Sequence, residues 1–315
     1  MSVFLARRFL TFLITVSGAS VIIFLLLEVL PGDPALTMLG VDAPDSAIAA
    51  IRLELELDRP AFIRYLDWIA GLFRGEMGLS YVYKVPVTEL IGQRLQVTLP
   101  LAIGAMVLAT LVSLTLGIFA ATNHNRIGDY GVMGFSQLGL AIPDFWFGIL
   151  LIILFAVILR WLPSGGFPGW DEGVWRGVRS LMLPVFTLSL GLTAIMTRVT
   201  RSSVLEVARE DYVRTARAKG LSRRAALWGH VLRNALVPVL TIGGLLVATV
   251  VTGTLVIENV FALPGLGKLI FDAISNRDLM VVKNVVLLFA AIVVVVNFIV
   301  DVLYALVDPR IRMHG

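Results

Sequence analysis

The chain has 315 residues, of which 58% are hydrophobic and 15% are charged, and it contains no cysteine. Soluble domains are about 45–50% apolar and about 25% charged, so this composition excludes an ordinary soluble protein and indicates a membrane protein. The formal net charge is +4, and a chain without cysteine has neither disulfides nor thiolate metal sites.

The first apolar segment, residues 9–30, follows a short basic N-terminus and predicts a membrane-spanning helix. As a helix it would be about 33 Å long, enough to cross a hydrocarbon core of about 30 Å. A cleaved signal peptide is the alternative, but the apolar run is longer than a signal core and no small-x-small cleavage site follows it. We therefore expect residues 1–30 to form an N-terminal tail and a retained first transmembrane helix.

Residues 31–98 are polar or amphipathic and begin with the helix-stopping sequence Pro31-Gly32-Asp33-Pro34. In residues 61–73 the large apolar side chains recur at helical spacing, which predicts a short helix that packs against another element. The segment is too small for a conventional enzyme domain. We interpret residues 31–98 as an extracytoplasmic loop.

Five further apolar segments predict five further spans. The third span of the chain is interrupted by Ile142-Pro143-Asp144, which predicts either a kink with a polar lining or a re-entrant break. We therefore predict an all-α integral membrane protein with six transmembrane helices, a five-helix core over residues 99–307 and a basic tail over residues 308–315. The five later spans cover about residues 99–122, 132–159, 181–197, 236–257 and 284–307.

An even number of spans places both termini on the same side of the membrane. That side carries 14 of the 26 Lys and Arg residues, although the opposite loops are about twice as long. Nine of these 14 lie between Arg198 and Arg233. The positive-inside rule therefore predicts that both termini and residues 198–235 lie in the cytoplasm, and that the long first loop faces outward.

Familiar nucleotide-binding and catalytic motifs are absent from the sequence. Gly265-Leu266-Gly267-Lys268 is the nearest approach to a P-loop, but it lacks the upstream glycine spacing and the following Ser or Thr. The three histidines are scattered, and neither H-E-x-x-H nor G-x-S-x-G occurs. We therefore expect no ATP site, no cofactor, no metal site and no enzymatic activity in this chain.

The most charged part of the chain is residues 206–238, between the fourth and fifth spans, which we name the basic elbow. Its first half, residues 206–220, is rich in helix formers and predicts one helix that ends at Gly220. Ser222 is placed to cap a second helix that leads to Pro238.

Three interpretations of the basic elbow are open from these residues alone. It is an ordinary positive-inside loop that touches lipid headgroups, a nucleic-acid-binding segment, or a docking helix for a cytoplasmic motor. Six spans disfavour nucleic acid. An internal glycine, small residues and two aromatic residues favour docking, because a simple charged loop needs none of them: Gly220, Ala208, Ala216, Ala218, Tyr212 and Trp228.

The basic elbow resembles the EAA loop in the membrane subunits of ABC importers, and most closely the loop of the peptide-permease branch. Residues 211–221 read D-Y-V-R-T-A-R-A-K-G-L, and residues 230–238 read H-V-L-R-N-A-L-V-P. Arg214-Thr215-Ala216 stand where the general pattern has E-A-A, and Leu232-Arg233 stand near its L-P. Both departures are typical of the peptide branch.

The resemblance extends over the whole chain. It is to the B-type permease subunit of dipeptide and oligopeptide ABC importers, a family that also includes nickel and glutathione permeases. The other matching stretches are Leu30-Pro31-Gly32-Asp33-Pro34, residues 75–80 with Pro86-Val87, Arg94-Leu95 with Thr98-Leu99, residues 142–145, Leu162-Pro163, residues 261–267 and residues 304–312.

This resemblance implies the fold of a type I ABC importer transmembrane domain, with a cytoplasmic coupling helix between spans 4 and 5. It implies as partners a second homologous permease subunit (expected to be a different chain), two P-loop ATPase subunits that hold ATP and Mg, and an extracytoplasmic substrate-binding protein. The residues expected to couple to the ATPases are Glu206, Asp211, Tyr212, Arg214, Thr215, Ala216, Arg217, Ala218, Lys219, Gly220, Leu221 and Arg224.

Candidates for the translocation path interrupt the spans with polar groups. Pro143 and Asp144 break the third span, and Asn297 and Asp301 lie four apart on the last span. The alternatives are a structural helix break and a hydrogen-bonded pair that clamps two helices. The predicted contact or gate residues for the binding protein are Gly78, Ser80, Pro86, Pro264, Gly265 and Gly267.

We therefore predict a permease subunit of an ATP-driven importer, embedded in the lipid bilayer of a bacterial cytoplasmic (inner) membrane, that forms the path for di- or oligopeptides. Import of nickel, glutathione or another small solute by the same architecture is the alternative. The family-like elbow disfavours an autonomous secondary carrier or channel.

Overall fold

The structure is a computed structural model that describes residues 2–29, 36, 43–54 and 57–307. These residues are almost entirely helical, with one isolated antiparallel bridge between Leu79 and Pro86. The predicted helix stop at residues 31–34 and the predicted basic tail at residues 308–315 lie outside the described residues.

The helices vary from single turns to long membrane-length rods. Two π-helical turns, Ile152–Ile158 and Leu227–Val231, extend α6 and join α9 to α10. The bounds are α1 Ser2–Val29, α2 Asp45–Glu54, α3 Ala61–Arg74, α4 Val87–Thr122, α5 Ile127–Ala141, α6 Asp144–Leu151, α7 Val174–Val207, α8 Asp211–Ala218, α9 Arg223–Ala226, α10 Leu232–Val260, α11 Leu266–Ser275 and α12 Leu279–Val307.

The described residues hold five helical segments that are long and apolar enough to cross a membrane. A sixth is present if α5 and α6, which meet at an angle of 101°, are counted as one broken span. The expected all-α membrane fold is therefore confirmed. The five continuous candidates are Arg7–Leu27, Val87–Thr122, Val174–Val207, Arg223–Val260 and Leu279–Val300.

Several helices extend beyond the predicted spans, because hydropathy marks where a helix meets lipid and not where the helix ends. The second span was predicted from residue 99, but α4 already begins at Val87. The fourth was predicted over residues 181–197, but α7 covers Val174–Val207. Both helices continue through partly polar segments that contain no proline.

The prediction of one helix over residues 206–220 was wrong. α7 ends at Val207, and Glu210 has an extended backbone (φ −62°, ψ 145°) before α8 begins at Asp211. Helix propensity is nearly uniform over this stretch, so tertiary packing decides where the helix breaks. The break allows Val213 to turn inward, and it is 3% exposed. The predicted N-cap is confirmed, because the Ser222 side chain accepts a hydrogen bond from the Ala225 N–H at 3.2 Å.

The chain divides into two compact units, which are described separately: residues 99–263 with both chain ends, and residues 6–98 with residues 264–295. In the second unit α3 is the predicted amphipathic helix, and its inner face packs on Phe24 of α1 and Leu287 of α12. Trp68 is buried in this contact and donates its indole N–H to Asn284 Oδ1 at 3.0 Å.

In the first unit α7 is the central helix, and most of its middle turns are buried between α5, α6 and α10. Glycines permit close approach of its neighbours. A Cβ on Gly117 of α4 would lie 2.5 Å from Thr200 Cβ, and a Cβ on Gly253 of α10 would lie 2.5 Å from Leu188 Cδ1. Small residues at such crossings are the usual means by which membrane helices pack closely.

Candidate functional site

The centre of the basic elbow is α8, a helix of two turns whose charges match its ends. Asp211 lies in the first turn and Arg217 in the last turn, where each complements the helix dipole. After Lys219 the chain reverses at Gly220, whose φ of +100° is readily adopted only by glycine. The predicted glycine turn is therefore present, although it follows a shorter helix than predicted.

A small apolar cluster beneath α8 connects it to the long helices. We name it the elbow core, and it contains residues of α4, α7, α8, α9 and α10, with Val213 as the member from α8. A second contact joins α8 to α10, because Asn234 Nδ2 donates to Tyr212 Oη at 2.7 Å. The buried residues of the elbow core are Ala121, Val204, Val213, Ala226, Val231, Leu232 and Ala235.

The outer face of α8 is exposed and strongly basic. Arg214 contacts Asp211 at 3.3 Å, but both side chains are more than three-quarters exposed, so this pair contributes little to stability. Arg217, Lys219 and Arg224 are exposed and form no ion pair with any residue that the structure describes. α8, the turn after it and α9 therefore present cations that are available to an acidic protein surface.

A polar depression of about 500 Å³ lies where α7 meets α8. Among the predicted coupling residues, Glu206 and Asp211 line it, together with Arg209 and Glu210. Arg201 also lines it. Acidic side chains, basic side chains and one serine hydroxyl therefore line a recess between α7 and α8.

Behind this recess is an ion pair that the sequence analysis missed. Arg201 donates from Nε to Asp129 Oδ1 at 2.5 Å and from Nη2 to Asp129 Oδ2 at 2.6 Å. Asp129 is 1% exposed and also accepts from the Asn125 N–H at 3.0 Å, and its Oδ2 lies 3.3 Å from His124 Nδ1. The two partners are 72 residues apart, so no local periodicity could have paired them.

The third predicted span is broken at the place that the sequence indicated. α5 ends at Ala141, Ile142 is extended (φ −87°, ψ 123°) and α6 starts at Asp144. Pro143 explains the break, because proline disfavours a helical backbone at the preceding residue. Asp144 is half-buried at the first turn of α6, close to Gly191 of α7, where an added Cβ would lie 3.5 Å from Oδ1.

The predicted pair on the last span is only partly described. Asn297 lies on α12 and is exposed in this chain. Asp301 lies on the same helix one turn later, but its side chain is outside the described residues. Their roles in the path, and the alternative of a helix clamp, stay predictions.

Ser80, a predicted contact residue, is buried and hydrogen-bonded within the chain. Its hydroxyl donates to Asp278 Oδ2 at 2.5 Å, and Asp278, which is fully buried, also accepts from the N–H groups of Val82 (3.1 Å) and Val281 (3.2 Å). Asp278 thus ties the loop after α3 to the start of α12. A direct contact between the Ser80 side chain and a protein partner would require this arrangement to open.

The other predicted contact residues differ in accessibility. Gly78 (φ +78°) and Pro86 are exposed on the loop before α4, and Pro264 is half-buried. Gly265 and Gly267 are buried at the start of α11, where the Leu266 N–H donates to Thr98 Oγ1 at 2.8 Å. The gate and contact roles stay predictions. No group of three His, Asp or Glu side chains that could hold a metal ion occurs among the described residues.

Comparison with known proteins places the chain among transport-system membrane components. The family described as "Binding-protein-dependent transport system inner membrane component" matches residues 113–313, and its N-terminal counterpart matches residues 1–102. The chain is similar in fold to the methionine ABC transporter MetNI in inward-facing conformations. That match has a TM-score of 0.57 at 17% identity and covers 70% of this chain and 96% of that chain.

Three curated relatives match over almost their whole length. A probable peptide ABC transporter permease of Sinorhizobium fredii, y4tP, is 40% identical (99% of this chain, 100% of the relative). The di/tripeptide permease DppB of Pseudomonas aeruginosa is 40% identical (98% of each), and the oligopeptide permease AppB of Bacillus subtilis is 38% identical (99% and 100%). The chain therefore belongs to the family of inner-membrane components of binding-protein-dependent transport systems.

Proposed function

We propose that this chain is one permease subunit of an ATP-driven importer that carries di- or oligopeptides across the cytoplasmic membrane. The peptide substrate is inferred from relatives that are named as peptide permeases and that match this chain over almost its whole length. The coupling role is supported by the structure of α8. It is a short helix with one buried valine, a glycine-ended turn and an exposed basic face.

In this proposal α8 is the coupling helix, and it docks on a cytoplasmic ATPase. Arg214, Arg217 and Arg224 would contact acidic groups, and Gly220 would allow the chain to turn back towards the membrane. Ala216 and Ala218 would allow close approach of the two backbones. ATP and Mg would be held by two P-loop ATPase subunits and not by this chain.

The same proposal gives the broken span the role of lining the path. Asp144 has no hydrogen-bond or ion-pair partner among the described residues, and an acidic group in a span is by default a candidate functional group. Its carboxylate would attract the α-ammonium group that every free peptide carries. Pro143 would hold it at the bend between α5 and α6.

Membership of the family supports the remaining parts of the importer. A second, homologous permease subunit would complete the path, and an extracytoplasmic binding protein would deliver the peptide to the loops near Gly78 and Pro264. The positive-inside count supports a cytoplasmic location for both termini and for the basic elbow.

The test is a reconstituted complex, purified with its partners in mild detergent and returned to liposomes. Ala216→Arg places a large charge on α8, and we expect it to abolish ATP-dependent peptide uptake while the chain remains in the membrane. Val174→Arg is the matched control, because Val174 is 68% exposed at the start of α7 and lies outside α8. Normal uptake with Ala216→Arg, or uptake by the purified chain alone without ATP, would contradict the proposal.

A further inference from the structure

We propose that the Asp129–Arg201 ion pair is a positioning element that carries movement of the basic elbow to the broken span formed by α5 and α6. This inference rests on the proposed function, and it names the residues that would join the elbow to the path. None of these residues touches the substrate in the proposal, and their role is to hold two helices in one register.

The pair lies at the right point of the chain for this role. Arg201 is on the last turns of α7, ten residues before α8 begins. Asp129 is in the first turn of α5, and the contact has two parallel hydrogen bonds of 2.5 and 2.6 Å. A bidentate guanidinium–carboxylate contact fixes orientation as well as distance, so α7 cannot slide or turn without moving the start of α5.

The apolar contacts of the elbow core include the ends of the other helices but no residue of α5. The elbow core has buried members from α4, α7, α8, α9 and α10, and none of its members comes from α5. The close approach of Gly117 to Thr200 further locks α4 to α7 beside Arg201. α5 also packs directly on α7, and its Gly128 lies close to Phe119 of α4. Asp129 adds a bidentate polar contact that fixes the first turn of α5 to the last turns of α7.

Two further contacts make the attachment stiff. Asp129 accepts from the Asn125 N–H, and Arg201 Nη2 lies 3.1 Å from His124 Nδ1, so both partners also hold the turn between α4 and α5. The turn, α5 and α7 therefore form one polar joint with a buried carboxylate at its centre.

From this joint the movement has a direct route to Asp144. α5 is a continuous helix of 15 residues, about 22 Å long, that ends at the break. A shift of its first turn is passed along the rod to Pro143, where the chain can hinge. Buried ion pairs are weak sources of stability compared with apolar packing, so fixing a register is the better explanation of this pair.

The first experiment compares uptake with ATP hydrolysis in the complete reconstituted complex. For Asp129→Asn and Arg201→Lys we expect peptide uptake per ATP to fall at least about tenfold, while ATPase activity stays within about twofold of wild type. A tenfold loss of uptake lies within the usual range of coupling between two sites. Arg126→Gln removes an exposed charge from the same turn and should leave the ratio unchanged. An unchanged ratio in both variants, or uptake and ATPase activity that fall in proportion, would refute the positioning role.

A second experiment measures movement at the elbow and at α6 separately. It uses the fact that the chain contains no cysteine. Single cysteines at Ala225 on the elbow and at Phe145 on α6, both exposed, are labelled with a water-soluble thiol reagent with and without ATP. In the wild-type background we expect ATP to change both labelling rates. With Asp129→Asn the Ala225→Cys response should persist, and the Phe145→Cys response should fall at least about fivefold.

A Phe145→Cys response that survives Asp129→Asn, or that is missing in the wild-type background, would overturn the proposal. Loss of both responses with Asp129→Asn would also overturn it, because the elbow itself would then be damaged. Failure of the proposed function is distinguishable, since the wild-type complex would then show no ATP-dependent peptide uptake at all.

Discussion

The attachment of α8 depends on one apolar side chain, and this gives a quantitative prediction. Val213→Ala removes two carbon atoms from a side chain that is 3% exposed in the elbow core. At about 0.8 kcal/mol per buried CH₂ the transfer cost is about 1.6 kcal/mol, and the cavity raises it to about 2 kcal/mol. The fraction of molecules in which α8 has detached should then rise about 30-fold.

Amide hydrogen exchange over residues 211–218 measures this detachment directly. We expect exchange of these amides to be about 30-fold faster in Val213→Ala, because local opening controls their protection. The remainder of the elbow, from Arg223 onward, should change much less. Exchange of these amides should be slower in membranes with bound ATPase than in membranes without it, since a docked ATPase would hold α8 in place.

The control for this prediction is Val178→Ala, at a position on α7 that is 41% exposed. The same two carbon atoms are removed there, but less apolar burial is lost than at Val213. Unchanged exchange in Val213→Ala, or equal acceleration in both variants, would show that Val213 does not anchor α8. The hydrogen bond from Asn234 to Tyr212 would then have to hold the helix.

Three further predictions concern other contacts of the described residues. Pro143→Ala should allow α5 and α6 to straighten and should lower peptide uptake at least about tenfold without loss from the membrane. Gly117→Ala would press a Cβ against Thr200 and should lower the melting temperature by several degrees, at about 1–3 kcal/mol for overpacking, whereas Gly131→Ala, which meets open space, should not. Asp278→Ala leaves the Val82 and Val281 N–H groups without their acceptor and should speed hydrogen exchange in residues 76–83, whereas Asp278→Asn should do so less.

The elements that could be predicted from the sequence are those with local boundary signals. α3 was predicted within one residue, because its apolar spacing is strongly periodic and it is bounded by Pro60 and by Gly75, which ends it at φ +79°. The break at Pro143 was equally local, since proline acts on the residue before it. The family was predictable because the elbow motif is a continuous stretch of sequence.

The parts that were missed depend on contacts between distant residues. The turn between Val207 and Asp211 has no glycine or proline, and it forms because it buries Val213. Ser80 looked like an exposed loop residue, but its hydroxyl is held by Asp278, which is 198 residues away. Asp129 carries no local signal of its role, because only the fold brings Arg201, 72 residues away, to it.

The two kinds of contact around the elbow differ in a way that suits force transmission. Among the described residues, Val213 in the elbow core and one exposed hydrogen bond hold α8, so a partner that binds its basic face can move it at small cost. α7 is held by close helix packing and by a buried bidentate ion pair, so its end resists local distortion. A displacement that enters through the weakly held helix is therefore passed on by the strongly held one and not absorbed as local unfolding. Because α5 is fastened to α7 at Asp129, the break at Pro143 is the next point along this route where the backbone can yield.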